Sequence, residues 1–161
     1  MRPTPPQCLV GTALGEVGTM EEGNNAGAQV EQYLGSVGLG PGYPWCAAFV
    51  HWTHRQCGIA PLPARPFAAA AAWDERPVWR PSGWSPETDP YTPISEDGDV
   101  FTLWYNNLGR IGHCGIIMDE DKDYVTTIEG NTGSGGEREG QGVYKRKRLK
   151  KSLHSVARWW E

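Results

Sequence analysis

Residues 38–58 read GLGPGYPWCAAFVHWTHRQCG, and this stretch decides the fold. Its first part, Gly38 to Pro44, is a loop, because Gly and Pro at this density do not continue a helix. A helix is expected from Trp45 or Cys46 to Cys57, with Gly58 as its natural stop. Cys46 therefore falls in the first turn of that helix. Unpaired backbone N–H groups and the positive end of the helix meet there. Both favour thiolate over thiol, and the thiolate is the nucleophile. The same N–H groups suit the oxyanion that forms when an amide carbonyl is attacked.

Working outward, the flanking sequence divides into a helical half and a strand half. Residues 7–20 carry Leu9, Val10, Ala13, Leu14 and Val17 at helical spacing, and residues 25–37 repeat the pattern with Ala28, Val30, Leu34 and Val37. A short Ala-rich helix is expected over 67–76. Residues 77–97, rich in Pro, Ser, Gly and Trp, read as a long surface loop. Strands are expected over Val100–Trp104, His113–Asp119, Tyr124–Glu129, Gly142–Arg148 and Ser155–Trp160. The short links between them require antiparallel pairing. The layout is α+β: N-terminal helices packed on a C-terminal antiparallel sheet of about five strands, in one domain spanning 1–161.

A thiolate nucleophile needs a base. His51 and His54 share the helix with Cys46 at spacings that do not bring them to its thiol, and read as surface or packing residues. His154 falls in a turn. His113 opens a strand between Gly112 and Cys114-Gly115, where glycine permits close approach of another group. Alternation sends Cys114 to the opposite face, into packing. The next strand ends Ile128-Glu129-Gly130-Asn131. With an odd number of residues in the hairpin turn, His113 shares a face with Glu129 and Asn131. An even turn points both away. A catalytic His113 therefore demands the odd register, with one of the two polar residues accepting its N–H.

The whole chain is that of an ordinary globule: 161 residues, with eight Trp, six Tyr and three Phe to bury. Its formal charge is −4, but residues 145–151 concentrate six of the fifteen basic residues. That run reads as a solvated edge strand blunted by Lys and Arg, the alternative being contact with an anionic polymer. No nucleic-acid partner is expected. No apolar stretch approaches the length of a membrane span, and no Sec-type signal is visible. Four cysteines without a Cys-x-x-Cys pair argue against a disulfide scaffold and against structural zinc; Cys8 has Cys57 or Cys114 as possible partners. Trp45, Trp52, Trp73, Trp79 and Trp84 are candidates to line a groove, with core packing the alternative for each.

Four segments, in order, resemble a known family. Pro44-Trp45-Cys46-Ala47-Ala48-Phe49-Val50-x-Trp52, Gly98-Asp99-Val100-Phe101, Gly112-His113-Cys114-Gly115-Ile116-Ile117 and Glu129-Gly130-Asn131 are similar to the CHAP domains, cysteine, histidine-dependent amidohydrolases/peptidases of the papain-like NlpC/P60 group. The resemblance covers roughly residues 7–160. It implies a papain-like fold and cleavage of an amide bond in the peptide part of peptidoglycan. It also implies Cys46 as nucleophile, His113 as base, Glu129 as orienting residue and Asn131 as an additional site residue. Trp45 stands where many phage lysins have Gln, so the oxyanion donor is assigned to the Cys46 N–H with Tyr43 as helper. Tyr43 and Trp45 are the candidate substrate contacts. Gly40-Pro41-Gly42 replaces the acidic calcium segment of some lysins, so no metal and no cofactor are expected. The chain is expected to be a monomer acting at the periplasm or cell wall, delivered by phage lysis or a secretion system, and paired in the latter case with an immunity protein. The competing functions are an amidase or isopeptidase on a protein or polyamine conjugate, and a non-catalytic wall-binding module.

Overall fold

The computed structural model describes residues 2–60, 62–63, 68–82, 92–133 and 140–161. Among them are helices α1 (Pro5–Gly15), α2 (Ala28–Ser36) and α3 (Cys46–Gln56) and strands β1 (Pro77–Trp79), β2 (Val100–Tyr105), β3 (Arg110–Glu120), β4 (Tyr124–Thr132), β5 (Gly142–Leu149) and β6 (Ser155–Ala157). The strands form one antiparallel sheet in the order β1-β6-β2-β3-β4-β5. This is the α+β layout expected from the sequence, with six strands among the described residues where about five were expected.

The departures have local causes. Helix α1 starts earlier than residue 7 because Thr4 caps it: its hydroxyl accepts from the Gln7 N–H, Gln7 Oε1 accepts from the Thr4 N–H, and Pro5 takes the first helical position. It ends at Gly15, before Gly18 turns with φ +96°. The Ala-rich segment makes only a 3-10 turn, Ala70–Asp74. Within the expected 77–97 loop, Pro77–Trp79 pairs with β6 as an edge strand. Residues 83–91 of that loop, including Trp84, and Phe67 of the Ala-rich segment lie outside the described residues. The last strand is only Ser155–Ala157, because the following tryptophans are used elsewhere: Trp159 Nε1 donates to the Trp73 carbonyl at 3.0 Å and Trp160 Nε1 to Asp99 at 3.1 Å.

Alternation on the strands builds two apolar layers. Val100, Cys114, Ile116 and Ile128 face α3, meeting Trp45, Ala48, Phe49 and Val50. Phe101, Leu103, Ile117, Val125 and Val156 form a second cluster on the other face. Helix α3 lies directly on β4 at Gly130, where a Cβ would come within 2.7 Å of Trp45 Cζ3 and 2.8 Å of Phe49 Cβ. Only glycine lets the start of the helix seat this low. Buried Asp99 accepts from Arg158 through both oxygens at 2.9 Å, which ties the C-terminal segment to the start of β2. A disulfide joins Cys8 of α1 to Cys57 at the end of α3, with Cα atoms 5.8 Å apart. Among the described residues no helix is long and apolar enough to cross a membrane.

Candidate active site

Cys46 is the first residue of α3, and its N-cap, Trp45, makes no side-chain cap bond to the first-turn N–H groups. The first-turn amides of the helix are therefore left without a side-chain cap next to Cys46. Cys46 is almost buried, 6% exposed, and opens into a groove of about 220 Å³. Leu39, Tyr43, Pro44, Ala69, Arg110 and Gly112 are among its walls.

His113 and Glu129 meet on neighbouring strands. His113 Nε2 lies 2.7 Å from Glu129 Oε2, with both side chains fully buried. The hairpin turn does not produce this alignment. Glu120 pairs with Val125 and Asp119 with Thr126, leaving four residues in the turn, an even number. By itself that turn sends Glu129 to the wrong face. A β-bulge at Met118 corrects the register, so that Ile117 pairs with Thr127 and Ile116 with Ile128. The odd register is thus present, set by the bulge. Two further irregularities frame the site: one at Gly112, just before His113, and one at Gly130–Asn131 in the β4–β5 pairing. Asn131 adopts φ +56° there, a left-handed conformation that Asn tolerates better than most residues.

The protonation states follow from the partners. Burial opposes the charge on Glu129, but Arg148 and His113 outweigh it and hold the carboxyl down at about 2. Glu129 is therefore ionised, and His113 Nε2 donates to it. Burial also opposes the imidazolium, but Cys46 and Glu129 prevail and push His113 up to about 9. His113 Nδ1 is buried and makes no hydrogen bond of ordinary geometry among the described residues, so it is the nitrogen left to face the thiol. The Cys46 thiol is pushed well below the ordinary cysteine value. The Cys114 thiol has the largest effect, burial opposes it, and His113 adds to the lowering. Cys114 in turn is driven well up by burial and by the neighbouring Cys46. The resting pair is therefore thiolate and imidazolium, the state in which a cysteine attacks carbonyl carbon.

Residues 38–131 match the family model of the CHAP domain, more than half of the chain. The chain belongs to the CHAP domain family. CHAP domains are cysteine/histidine-dependent amidohydrolase/peptidase domains, and this one has the α+β, papain-like scaffold of the family. The matched span runs from the Gly/Pro loop to Asn131, so it contains Cys46, His113, Glu129 and Asn131. No curated protein sequence matches the CHAP domain described here.

Of the residues singled out from the sequence, Cys46, His113 and Glu129 come together. Asn131 lies at the end of the Glu129 strand, 2% exposed, with Oδ1 unpaired among the described residues. Tyr43 stands on the groove wall and is half-exposed. Trp45 does not: it is fully buried, stacks on Tyr33 and donates from Nε1 to Glu21 at 2.7 Å. Its indole fills the space over Gly130, so it is a packing residue and not a substrate contact. Trp73 is likewise fully buried, while Trp52 packs edge-on against Tyr33. His51 bonds Ser36 through Nδ1 at 3.0 Å and buried His54 bonds the Val50 carbonyl at 2.8 Å. Desolvation pushes both imidazoles down to about 4, so they are neutral packing groups. Among the described residues no group of three His, Cys, Asp or Glu side chains is placed to hold a metal.

Sequence reasoning missed three contributors. Arg148, read as part of a solvated basic run, donates from Nε to Glu129 Oε1 at 2.8 Å and from Nη2 to Oε2 at 2.6 Å. Thr127 donates to Oε1 at 2.6 Å. Arg110 is among the residues that line the groove. The signal for Arg148 was alternation within the run: Arg146 and Arg148 are half-buried while Lys145 and Lys147 are exposed.

Proposed function

We propose that the chain is a peptidoglycan hydrolase that cuts an amide bond in the peptide moiety by thiolate attack. The observation that carries this reading is the buried His113–Glu129 pair beside a cysteine at a helix start, open to a groove. Cys46 Sγ attacks the carbonyl carbon. The oxyanion is held by the Cys46 backbone N–H, with the Tyr43 hydroxyl nearby. The C–N bond then breaks as His113 gives its Nδ1 proton to the leaving nitrogen, and a thioester remains on Cys46. Neutral His113 next takes a proton from water. The resulting hydroxide attacks the thioester carbonyl, the C–S bond breaks, and the carboxylic acid leaves as the ion pair is restored. Glu129 stabilises the imidazolium in both halves of the cycle. The irregularity at Asn131 shapes the end of β4 beside this set.

The groove suits a peptide of small residues. Its volume of about 220 Å³ and its Ala68, Ala69 and Ala70 lining fit small apolar side chains, and Arg110 offers a cation to a free carboxylate. Such peptides, rich in alanine and free carboxylates, are those of bacterial walls. The Cys8–Cys57 disulfide supports action in an oxidising space outside the cytoplasm. Release by phage lysis, or injection with a groove-blocking immunity protein, fits that location.

The test is digestion of purified sacculi by the wild type and by Cys46→Ala, with new termini identified by mass. Release of new amine and carboxyl termini by the wild type alone is expected. Equal release by Cys46→Ala, or intact sacculi with both, overturns the proposal. Toxicity on targeting the wild type, but not Cys46→Ala, to the periplasm is expected for the injected form.

A further inference from the structure

The basic run 145–151 contains one arginine that the mechanism above does not use and that does not behave as a surface charge. Arg148 is flanked by exposed Lys147 and half-exposed Leu149, yet its own side chain is 14% exposed. Its cross-strand partner is Val125, but its guanidinium reaches along β4 to Glu129. On the way it passes over the Phe101 ring, with Cζ 6.0 Å from the centroid. Phe101 also lies under His113, ring centroids 6.1 Å apart. One aromatic floor thus carries both partners of Glu129.

We propose that Arg148 is the positioning residue of the site: it grips both oxygens of Glu129 and so fixes the carboxylate that orients His113. Each Glu129 oxygen accepts two bonds. Oε2 takes His113 Nε2 and Arg148 Nη2; Oε1 takes Arg148 Nε and the Thr127 hydroxyl. A carboxylate so filled has no freedom to rotate, and the paired fork of the guanidinium fixes its plane as well as its charge. The residue lies on β5, beyond the span 38–131 that matches the family, so the grip comes from outside the matched span.

The placement makes a specific demand. Glu129 is fully buried, and a lone buried carboxyl takes up a proton to escape its charge. The ionisable groups facing the Glu129–His113 pair are Arg148 of β5, Cys114 of β3, Cys46 of α3 and, beside Arg148, Tyr105 of β2. Arg146, on the same face of β5, donates to the Gly133 carbonyl at 2.7 Å. Among these groups Arg148 is the one permanent cation bonded to Glu129. Without it Glu129 protonates at higher pH, His113 loses its anionic partner, and the Cys46 thiolate loses its imidazolium.

The test rests on the hydrolase reading for its kinetic arm only. Its first arm needs no substrate: iodoacetamide alkylation of Cys46 against pH, followed on the Cys46 peptide by mass. Arg148→Gln is expected to move the acid limb of that profile to higher pH and to slow alkylation at pH 6. Arg148→Lys, which keeps the charge but not the fork, is expected to restore part of the shift. In the second arm, on solubilised wall fragments, kcat of Arg148→Gln falls on the order of ten- to a hundredfold, the size usual for a group that holds a reacting side chain in place, while KM stays. A folded Arg148→Gln with an unshifted alkylation profile overturns the proposal. If Arg148→Gln does not fold, Arg148→Lys decides: an unshifted profile with wild-type kcat overturns it. Failure of the wild type to cut wall fragments overturns the hydrolase reading and leaves the alkylation arm standing.

Discussion

Glu129 Cγ lies 2.9 Å from where a Gly115 side chain would begin, and Phe101 Cε1 lies 2.7 Å from the same point. The carboxylate reaches His113 across a gap that exists because residue 115 has no Cβ. Gly115→Ala therefore forces Phe101 or Glu129 to move. Overpacking of this kind costs about 1–3 kcal/mol. The expected result is a modest drop in the denaturant midpoint with a larger loss of kcat, measured well below the melting temperature. Full kcat in Gly115→Ala contradicts the assignment of that gap to Glu129.

Activity should span a wide range of pH. The thiolate sets the acid limb, well below the ordinary cysteine value, and Glu129, held at about 2, stays ionised throughout. The alkaline limb falls near 9, where His113 gives up the proton that the leaving amine needs. A pH series of kcat/KM on wall fragments checks both limbs. An alkaline limb at the ordinary histidine value of 6.5 contradicts the pairing with Cys46 and Glu129.

Glu129 also links pH to stability. Its pKa is lower in the folded protein, so its contribution is complete above the ordinary value of 4.5 and is lost as pH falls toward 2. Acid melts of the wild type and Glu129→Gln test this: the wild type is expected to lose melting temperature through that window more steeply than the variant.

The disulfide closes a separation of 49 residues between α1 and the end of α3. Chain entropy alone assigns it about 4 kcal/mol. Replacing Cys8 and Cys57 together by Ser should lower the denaturant midpoint by a corresponding amount and leave kcat per folded molecule intact, since Cys46 and Cys114 are both free. An unchanged midpoint contradicts a stabilising role.

Arg110 is the one basic side chain among the described groove-lining residues, and among the described residues its guanidinium bonds the Ile111 carbonyl at 3.3 Å. Arg110→Ala is expected to raise KM about tenfold for stem peptides with a free carboxylate, with little change in kcat, and to leave KM for amidated peptides unaltered. Equal effects on both peptides refute a carboxylate contact.

Much of this molecule is written in short-range pattern. The Gly/Pro loop before Cys46, the stop at Gly58 and the strands around His113 and Glu129 follow from local stereochemistry and alternation, and they suffice to name Cys46 and His113. Between Glu129 and Asn131 that pattern leaves the choice open, and the family resemblance implies Glu129 as the orienting residue. Trp45 shows where that reading ends. Beside a nucleophile in sequence, it points inward in space, because Gly130 on a distant strand leaves a hollow that an indole fills. Arg148 shows the converse: charge and sequence neighbours mark it as solvated, and a buried carboxylate four pairs along the adjacent strand claims it.

The amino-acid order by itself determined which residue types were present for thiol chemistry and that helices would precede strands, because these depend on interactions between near neighbours. The tertiary structure alone decided that Glu129 shares a face with His113, since the even turn is corrected by a bulge at Met118. It alone also decided that Cys8 bonds Cys57 and that Arg148 closes the hydrogen bonding of Glu129. Such pairings join groups far apart along the chain, and only the folded backbone sets the distances between them.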